Sequence, residues 1–179
     1  QRLSRGLGDV YKRQNNNRGS KFKWAADIEE RNKLWQARWD VYYSVKALVN
    51  NGRVYSTDVC VPISRITECV NFAEEEVNKL GLRAPMVGHL GDGNFHVLFP
   101  YDPTDKEAYK KIREFSNKLI DKTLELKGTI TGEHGVGLHK KSYLLKEHPD
   151  NIPVMKTIKR SLDPNTVSYT HLTLPTTTI

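Results

Sequence analysis

The Asp92-Gly93 pair, set between the apolar stretches around Val87 and Val97, is the strongest constraint on how this chain folds. Asp-Gly favours a two-residue hairpin turn, because both central positions require positive φ. The segments on either side, within Pro85 to Phe99, must then pair antiparallel. With Asp92 and Gly93 as the turn, Gly91 opposes Asn94, Leu90 opposes Phe95 and His89 opposes His96. Residues so opposed have Cβ atoms about 4.5–5.5 Å apart. Two imidazoles at that spacing are able to share a metal ion. The alternative is two ordinary strand histidines in a glycine-rich loop.

Helical patterns surround this hairpin. Asp27 and Glu30 form a capping-box-like start to a long helix whose Leu34, Val41, Val45 and Leu48 share a face, widened by Trp35, Trp39 and Tyr42. Asn50-Asn51-Gly52 ends it. Val54 to Ile63 is rich in β-branched residues and reads as one strand. Ser64 is placed to cap a second helix with Ile66, Val70, Ala73 and Val77 inward, stopped by Gly81. Thr104 and Glu107 suggest a capping box for a third, with Ile112, Phe115, Leu119 and Leu126 at helical spacing and Gly128 as its C′ residue. Thr129 to Gly137 reads as a short strand entering a glycine-rich loop, and Leu138 to His148 and Ile152 to Leu162 as helices ended by Asp163-Pro164. The order predicts an α+β fold, a mostly antiparallel sheet covered by helices.

Composition narrows the function classes. The 179 residues are 37% hydrophobic and 27% charged, which fits one soluble globular domain. No apolar run reaches the roughly 18–20 residues of a membrane span. The formal charge is +7, but residues 1–14 contribute four basic groups against one acidic, and 166–179 contribute none. The remaining 24 basic and 20 acidic residues are interspersed, which argues against a nucleic-acid footprint. Cys60 and Cys69 read as free thiols of a reducing compartment. Segments 1–14 and 166–179 lack periodicity and read as non-native tails of cloning or adapter origin. The fold is expected in 15–165, an internal part of a longer protein.

A second group able to carry chemistry is Thr131-Gly132-Glu133-His134-Gly135-Val136-Gly137. It lacks the order of a phosphate-binding loop. It does set a carboxylate and an imidazole on a backbone that three glycines leave open to close approach. Placed beside the hairpin, Glu133 would join His89 and His96 as a third metal ligand, leaving positions open for substrate. His134 would then be available as a general base. The alternative is a solvated surface Glu-His pair. Arg38, among the aromatics Trp35 and Trp39, has the fork geometry to bind a substrate carboxylate. The alternative is a cation snorkelling along a helix flank and stacking on Trp.

Taken together, these motifs resemble the C-terminal, substrate-side domain of the FAD-linked 2-hydroxy-acid dehydrogenases. The residues that carry the resemblance are Leu34-Trp35 with Ala37-Arg38, Tyr55 to Arg65, Gly88-His89 through His96, Thr131 to Gly137, and Leu162-Asp163-Pro164. Order and spacing agree from about Asn17 to Asn165. The strand around Val59 most resembles the mitochondrial D-lactate dehydrogenase branch. The resemblance implies a flavin-dependent enzyme oxidising D-lactate to pyruvate, with FAD bound mainly by a domain not contained in this sequence. It implies that His89, His96 and Glu133 hold Mn²⁺ or Zn²⁺, that His134 takes the hydroxyl proton, and that Arg38 anchors the substrate carboxylate. Asn94 is implied as a substrate or second-sphere contact, and cytochrome c or another respiratory carrier as the electron acceptor. Mitochondrial location follows from the same branch.

Two positions depart from the pattern. Trp39 stands where relatives often have His, and Ser56 where the 2-hydroxyglutarate enzymes can use Lys. The second departure favours a monocarboxylate. Glycolate or 2-hydroxyglutarate oxidation and a non-catalytic metal-binding module are the competing functions.

Overall fold

The computed structural model describes residues 12, 13, 16, 25–137, 139–165 and 167. The segments 1–14 and 166–179, expected to be foreign, therefore lie outside the described residues except for Lys12, Arg13 and Val167. Two compact units meet in sequence between Tyr42 and Tyr43.

Helix α1 (Ile28–Lys46) runs through that boundary. The Glu30 N–H donates to Asp27 Oδ1 at 2.8 Å, so the expected N-terminal cap is present. Its expected buried face is not formed among the described residues. Val45 is buried, whereas Leu34, Trp35 and Trp39 are exposed.

The second unit holds β1 (Arg53–Ser56), β2 (Val59–Cys60), α2 (Ile66–Leu80), β3 (Met86–His89), β4 (Asn94–Tyr101), α3 (Lys106–Glu125), α4 (Lys141–Glu147) and α5 (Ile152–Leu162). Strand β4 is the hub of a four-stranded sheet and pairs antiparallel with β1, β2 and β3. The architecture is the α+β class expected. Alternate residues of a strand face opposite ways. Phe95, Val97 and Phe99 enter the core with Cys69, Ala73 and Val77 of α2 and Ile112, Phe115 and Leu119 of α3. The Phe99 and Phe115 rings meet edge to face, 4.9 Å between centroids. Asn94 and His96 point the other way and are also buried.

Several local expectations are corrected. The run from Val54 to Ile63 is not one strand: β1 and β2 keep a single register on β4, Ser56 opposite Leu98 and Val59 opposite Phe95, with a break at Thr57-Asp58. Ser64 lies inside a 3₁₀ turn (Ile63–Arg65), and α2 starts without a side-chain cap. Asp105 rather than Thr104 caps α3, because Thr104 is already bonded to Asp102 while Asp105 accepts from Ala108 N–H. The left-handed residue after α3 is Lys127, not Gly128. Beyond Cys60↔Thr129, the 129–137 segment forms no ladder and is loop.

The hairpin itself is shifted. His89 opposes Asn94, and His96 opposes Val87. A two-residue turn needs positive φ at both Asp92 and Gly93, and only Gly93 has it, at 81°. Leu90–Asp92 instead make a 3₁₀ turn closed by Gly93 N–H on Leu90 O. Gly93 also packs on Val61, whose carbonyl oxygen would lie 2.0 Å from any Cβ there. The slip is two residues, so face is preserved. His89 and His96 become diagonal rather than directly opposed neighbours.

Candidate functional site

Site geometry begins at the break between β1 and β2. Thr57 N–H bonds Val97 O as in an unbroken ladder, at 3.1 Å. The return bond is altered: Val97 N–H donates to the Thr57 hydroxyl, at 2.8 Å, not to its carbonyl. The freed carbonyl accepts from Ser56 Oγ and from Nδ1 of His96, the latter at 2.9 Å. A carbonyl only accepts, so Nδ1 carries the proton. The other ring nitrogen, Nε2, lies 2.8 Å from Glu133 Oε1.

Glu133 is held by the next residue along the break. Buried Asp58 accepts from the Thr131 hydroxyl at 2.6 Å and from the N–H groups of Gly132, Glu133 and His134 at 3.0–3.3 Å. Burial alone would raise its pKa. The Thr131 hydroxyl, the His134 N–H, the Lys140 charge and the Gly132 N–H outweigh burial and hold it below the ordinary value. Lys140 donates to the carbonyls of Asp58 and Ile130, each at 2.7 Å, and its Nζ is 3.8 Å from Asp58 Oδ2. Burial lowers the Lys140 pKa despite that carboxylate.

Around Glu133 the expected residues gather unevenly. His134 Nε2 is 3.8 Å from Glu133 Oε1, and its ring lies 5.1 Å from that of His96. One ligand atom each from His96, Glu133 and His134 lies within 4.8 Å of the others. His89 is outside that triad, its Nδ1 3.9 Å from Glu133 Oε2. Asn94 is buried with an Oδ1 that has no hydrogen-bond partner, and it sits against Gly132, where a Cβ would be 2.1 Å from Asn94 Nδ2. Arg38 is exposed on α1 in the unit ending at Tyr42, while every other residue named here belongs to the unit starting at Tyr43.

Sequence reasoning did not assign roles to Thr57, Asp58, Thr131 or Lys140. Asp58 had a signal: an aspartate inside a β-branched run is disfavoured in strands and needs partners. Lys140, one of two adjacent lysines, had none. Cys60 donates to Asp92 O, and burial, then the Asp58 and Asp92 charges, raise its thiol pKa. That leaves it a poor nucleophile.

Comparison with known proteins gives one family match and three relatives. Residues 1–167 match the family model described as FAD linked oxidases, C-terminal domain. The chain is 44% identical over 149 residues to "Probable D-lactate dehydrogenase, mitochondrial" of Danio rerio, covering 83% of this chain and 30% of that protein. It is 34% identical over 166 residues to "D-lactate dehydrogenase [cytochrome], mitochondrial" of Kluyveromyces lactis, covering 90% and 28%. A glycolate oxidase subunit of Bacillus subtilis is 35% identical over 111 residues, covering 62% and 24%. The chain thus spans less than a third of the length of these curated relatives.

Proposed function

This chain belongs to the family of FAD-linked oxidase C-terminal domains, and from that membership we propose that it is the substrate- and metal-binding part of a flavin-dependent dehydrogenase oxidising D-lactate to pyruvate. The names of its relatives support D-lactate as substrate, a mitochondrial setting and a cytochrome acceptor.

The observation that carries the reading is the His96–Glu133 pair. With Nδ1 donating to Thr57 O, the His96 ring turns Nε2 to a carboxylate oxygen 2.8 Å away. Two acceptors at that distance need a shared cation or a proton between them. Imidazole and carboxylate donors together suit Mn²⁺ or Zn²⁺. In this reading His89, His96 and Glu133 hold the cation. When bound, the cation supplies a Lewis acid for the substrate oxygens and FAD the hydride acceptor. His134 accepts the substrate hydroxyl proton at Nε2. The unpartnered Asn94 Oδ1 takes a hydrogen bond from the substrate side of the site.

A second arrangement has one observation in its favour. The compact triad is His96, Glu133 and His134, which makes His134 a ligand and leaves His89 aside. Zn²⁺ or Mn²⁺ titration of the chain, with bound metal measured by elemental analysis, tests both. Metal is expected to be lost in His96→Ala and Glu133→Ala; retention in both sinks the cation reading. Loss in His89→Ala with retention in His134→Ala supports the first arrangement, and the reverse supports the second. In the enzyme carrying this domain, D-lactate is expected to turn over faster than D-2-hydroxyglutarate, because Ser56 offers no charge to a second carboxylate. Equal rates would move the substrate assignment to the wider family of 2-hydroxy acids. Metal binding with no turnover of any 2-hydroxy acid would leave the non-catalytic module.

A further inference from the structure

We propose that Thr57 and Asp58, the two residues interrupting the β1–β2 edge, jointly position the His96–Glu133–His134 site, Thr57 by setting which nitrogen of His96 faces Glu133 and Asp58 by holding the loop that carries Glu133 and His134. This rests on the reading of that site as one that binds a cation and moves a proton.

The argument for Thr57 is an exchange of acceptors. In an unbroken antiparallel ladder its carbonyl would take the Val97 N–H. Here its own hydroxyl takes that N–H, so the strand keeps its pairing while the carbonyl turns to His96 Nδ1. Had the carbonyl stayed in the ladder, nothing on β1 would distinguish the two tautomers of His96. A ligating imidazole usually has its second N–H fixed in this way, which settles both tautomer and ring orientation. The exchange needs a short side chain with an acceptor oxygen at 57, which Thr supplies and Ser would keep.

For Asp58 the argument is a concentration of donors. One carboxylate gathers three consecutive N–H groups and the Thr131 hydroxyl. Those amides belong to Gly132, Glu133 and His134, the segment that bears two of the candidate groups. Lys140 closes the arrangement from behind by bonding the Asp58 and Ile130 carbonyls. Neither side chain hydrogen-bonds a side chain of the site: the Thr57 hydroxyl takes the Val97 N–H, and Asp58 Oδ1 is 3.7 Å from His96 Nδ1, beyond a hydrogen bond. Thr57 and Asp58 are therefore positioning residues. Their adjacency means that one two-residue break orients a ligand borne by the sheet and two groups borne by a loop.

The test uses the chain labelled with ¹⁵N, first without metal and then titrated with Zn²⁺. In the parent, when the His96 ring carries a single proton, its nitrogen shifts are expected to place that proton on Nδ1. Thr57→Val is expected to lose that preference and to weaken Zn²⁺ binding about 10–100-fold, the usual cost of removing an outer-sphere partner. Thr57→Ser should restore both. Asp58→Asn is expected to leave the His96 tautomer intact, to speed amide exchange at Gly132, Glu133 and His134, and to weaken Zn²⁺ binding by a similar factor. If Asp58→Asn fails to fold, Thr131→Val, which removes one of the four donors, gives the same exchange signature in smaller measure. An unchanged tautomer in Thr57→Val, or Thr57→Ser as impaired as Thr57→Val, overturns the role of Thr57. Unchanged exchange and Zn²⁺ affinity in both loop variants overturn the role of Asp58. If the parent shows the tautomer and the protected amides yet binds no Zn²⁺ or Mn²⁺, the cation reading fails and the positioning stands.

Discussion

The two halves of the candidate site are held by different means. His96 sits on β4, where pairing with Val87 of β3 and a core of Phe95, Val97 and Phe99 beneath determine its place. Glu133 and His134 sit on a loop with no ladder of its own, gathered by one buried carboxylate. Stiffness on the strand side is distributed over many contacts; on the loop side it passes through Asp58. A distributed support fails only when the domain fails. A support concentrated in one side chain can fail alone, and that difference is measurable.

The largest expected effect is on the strand side. Phe95→Ala removes a fully buried ring and should lower global stability by about 3–5 kcal/mol, seen as an earlier cooperative melt in which strand and loop unfold together. A loop that melts first would break the contrast. Next, Thr131→Val should cost about 1–2 kcal/mol, since Asp58 stays buried with one donor fewer. Amide exchange should rise at 132–134 while β4 amides keep their protection.

Acid provides a third separation. The Asp58 pKa is lower folded than unfolded, so its contribution is complete above the ordinary aspartate range near about pH 3.9. That contribution is lost as pH falls through the lowered value. Titration followed by amide shifts should therefore show the 132–134 signals moving below that range, before those of β4. Smallest of all, Leu90→Ser on the exposed 3₁₀ turn should change stability by no more than about 0.5 kcal/mol. A larger loss would mean that the turn, not the ladder, secures the hairpin.

What was legible in the sequence follows the same division. Apolar spacing placed α3 and its inward residues, since Ile112, Phe115 and Leu119 are all buried. Asp92-Gly93 located the hairpin but misplaced its register, because turn choice depended on Gly93 packing against Val61, some thirty positions away in sequence. His89 and His96 still share a face, since the slip was even. Asp58 could be marked as a residue in need of partners but not as an organiser, because those partners lie 73–76 positions further along. Side-chain contacts over that separation leave no periodicity to read. The likeness of Thr131–Gly137 to its family marked the loop without revealing what holds it.

The contact between Gly132 and Asn94 bears on how this domain diversifies. A methyl group at 132 would collide with the Asn94 amide, and the Asn94 backbone is itself paired with His89 and Cys60. A side chain at 132 therefore enters only if the Asn94 amide leaves its place, so the two positions are coupled: Gly132→Ala should disturb Asn94, and a smaller residue at 94 should relieve the clash.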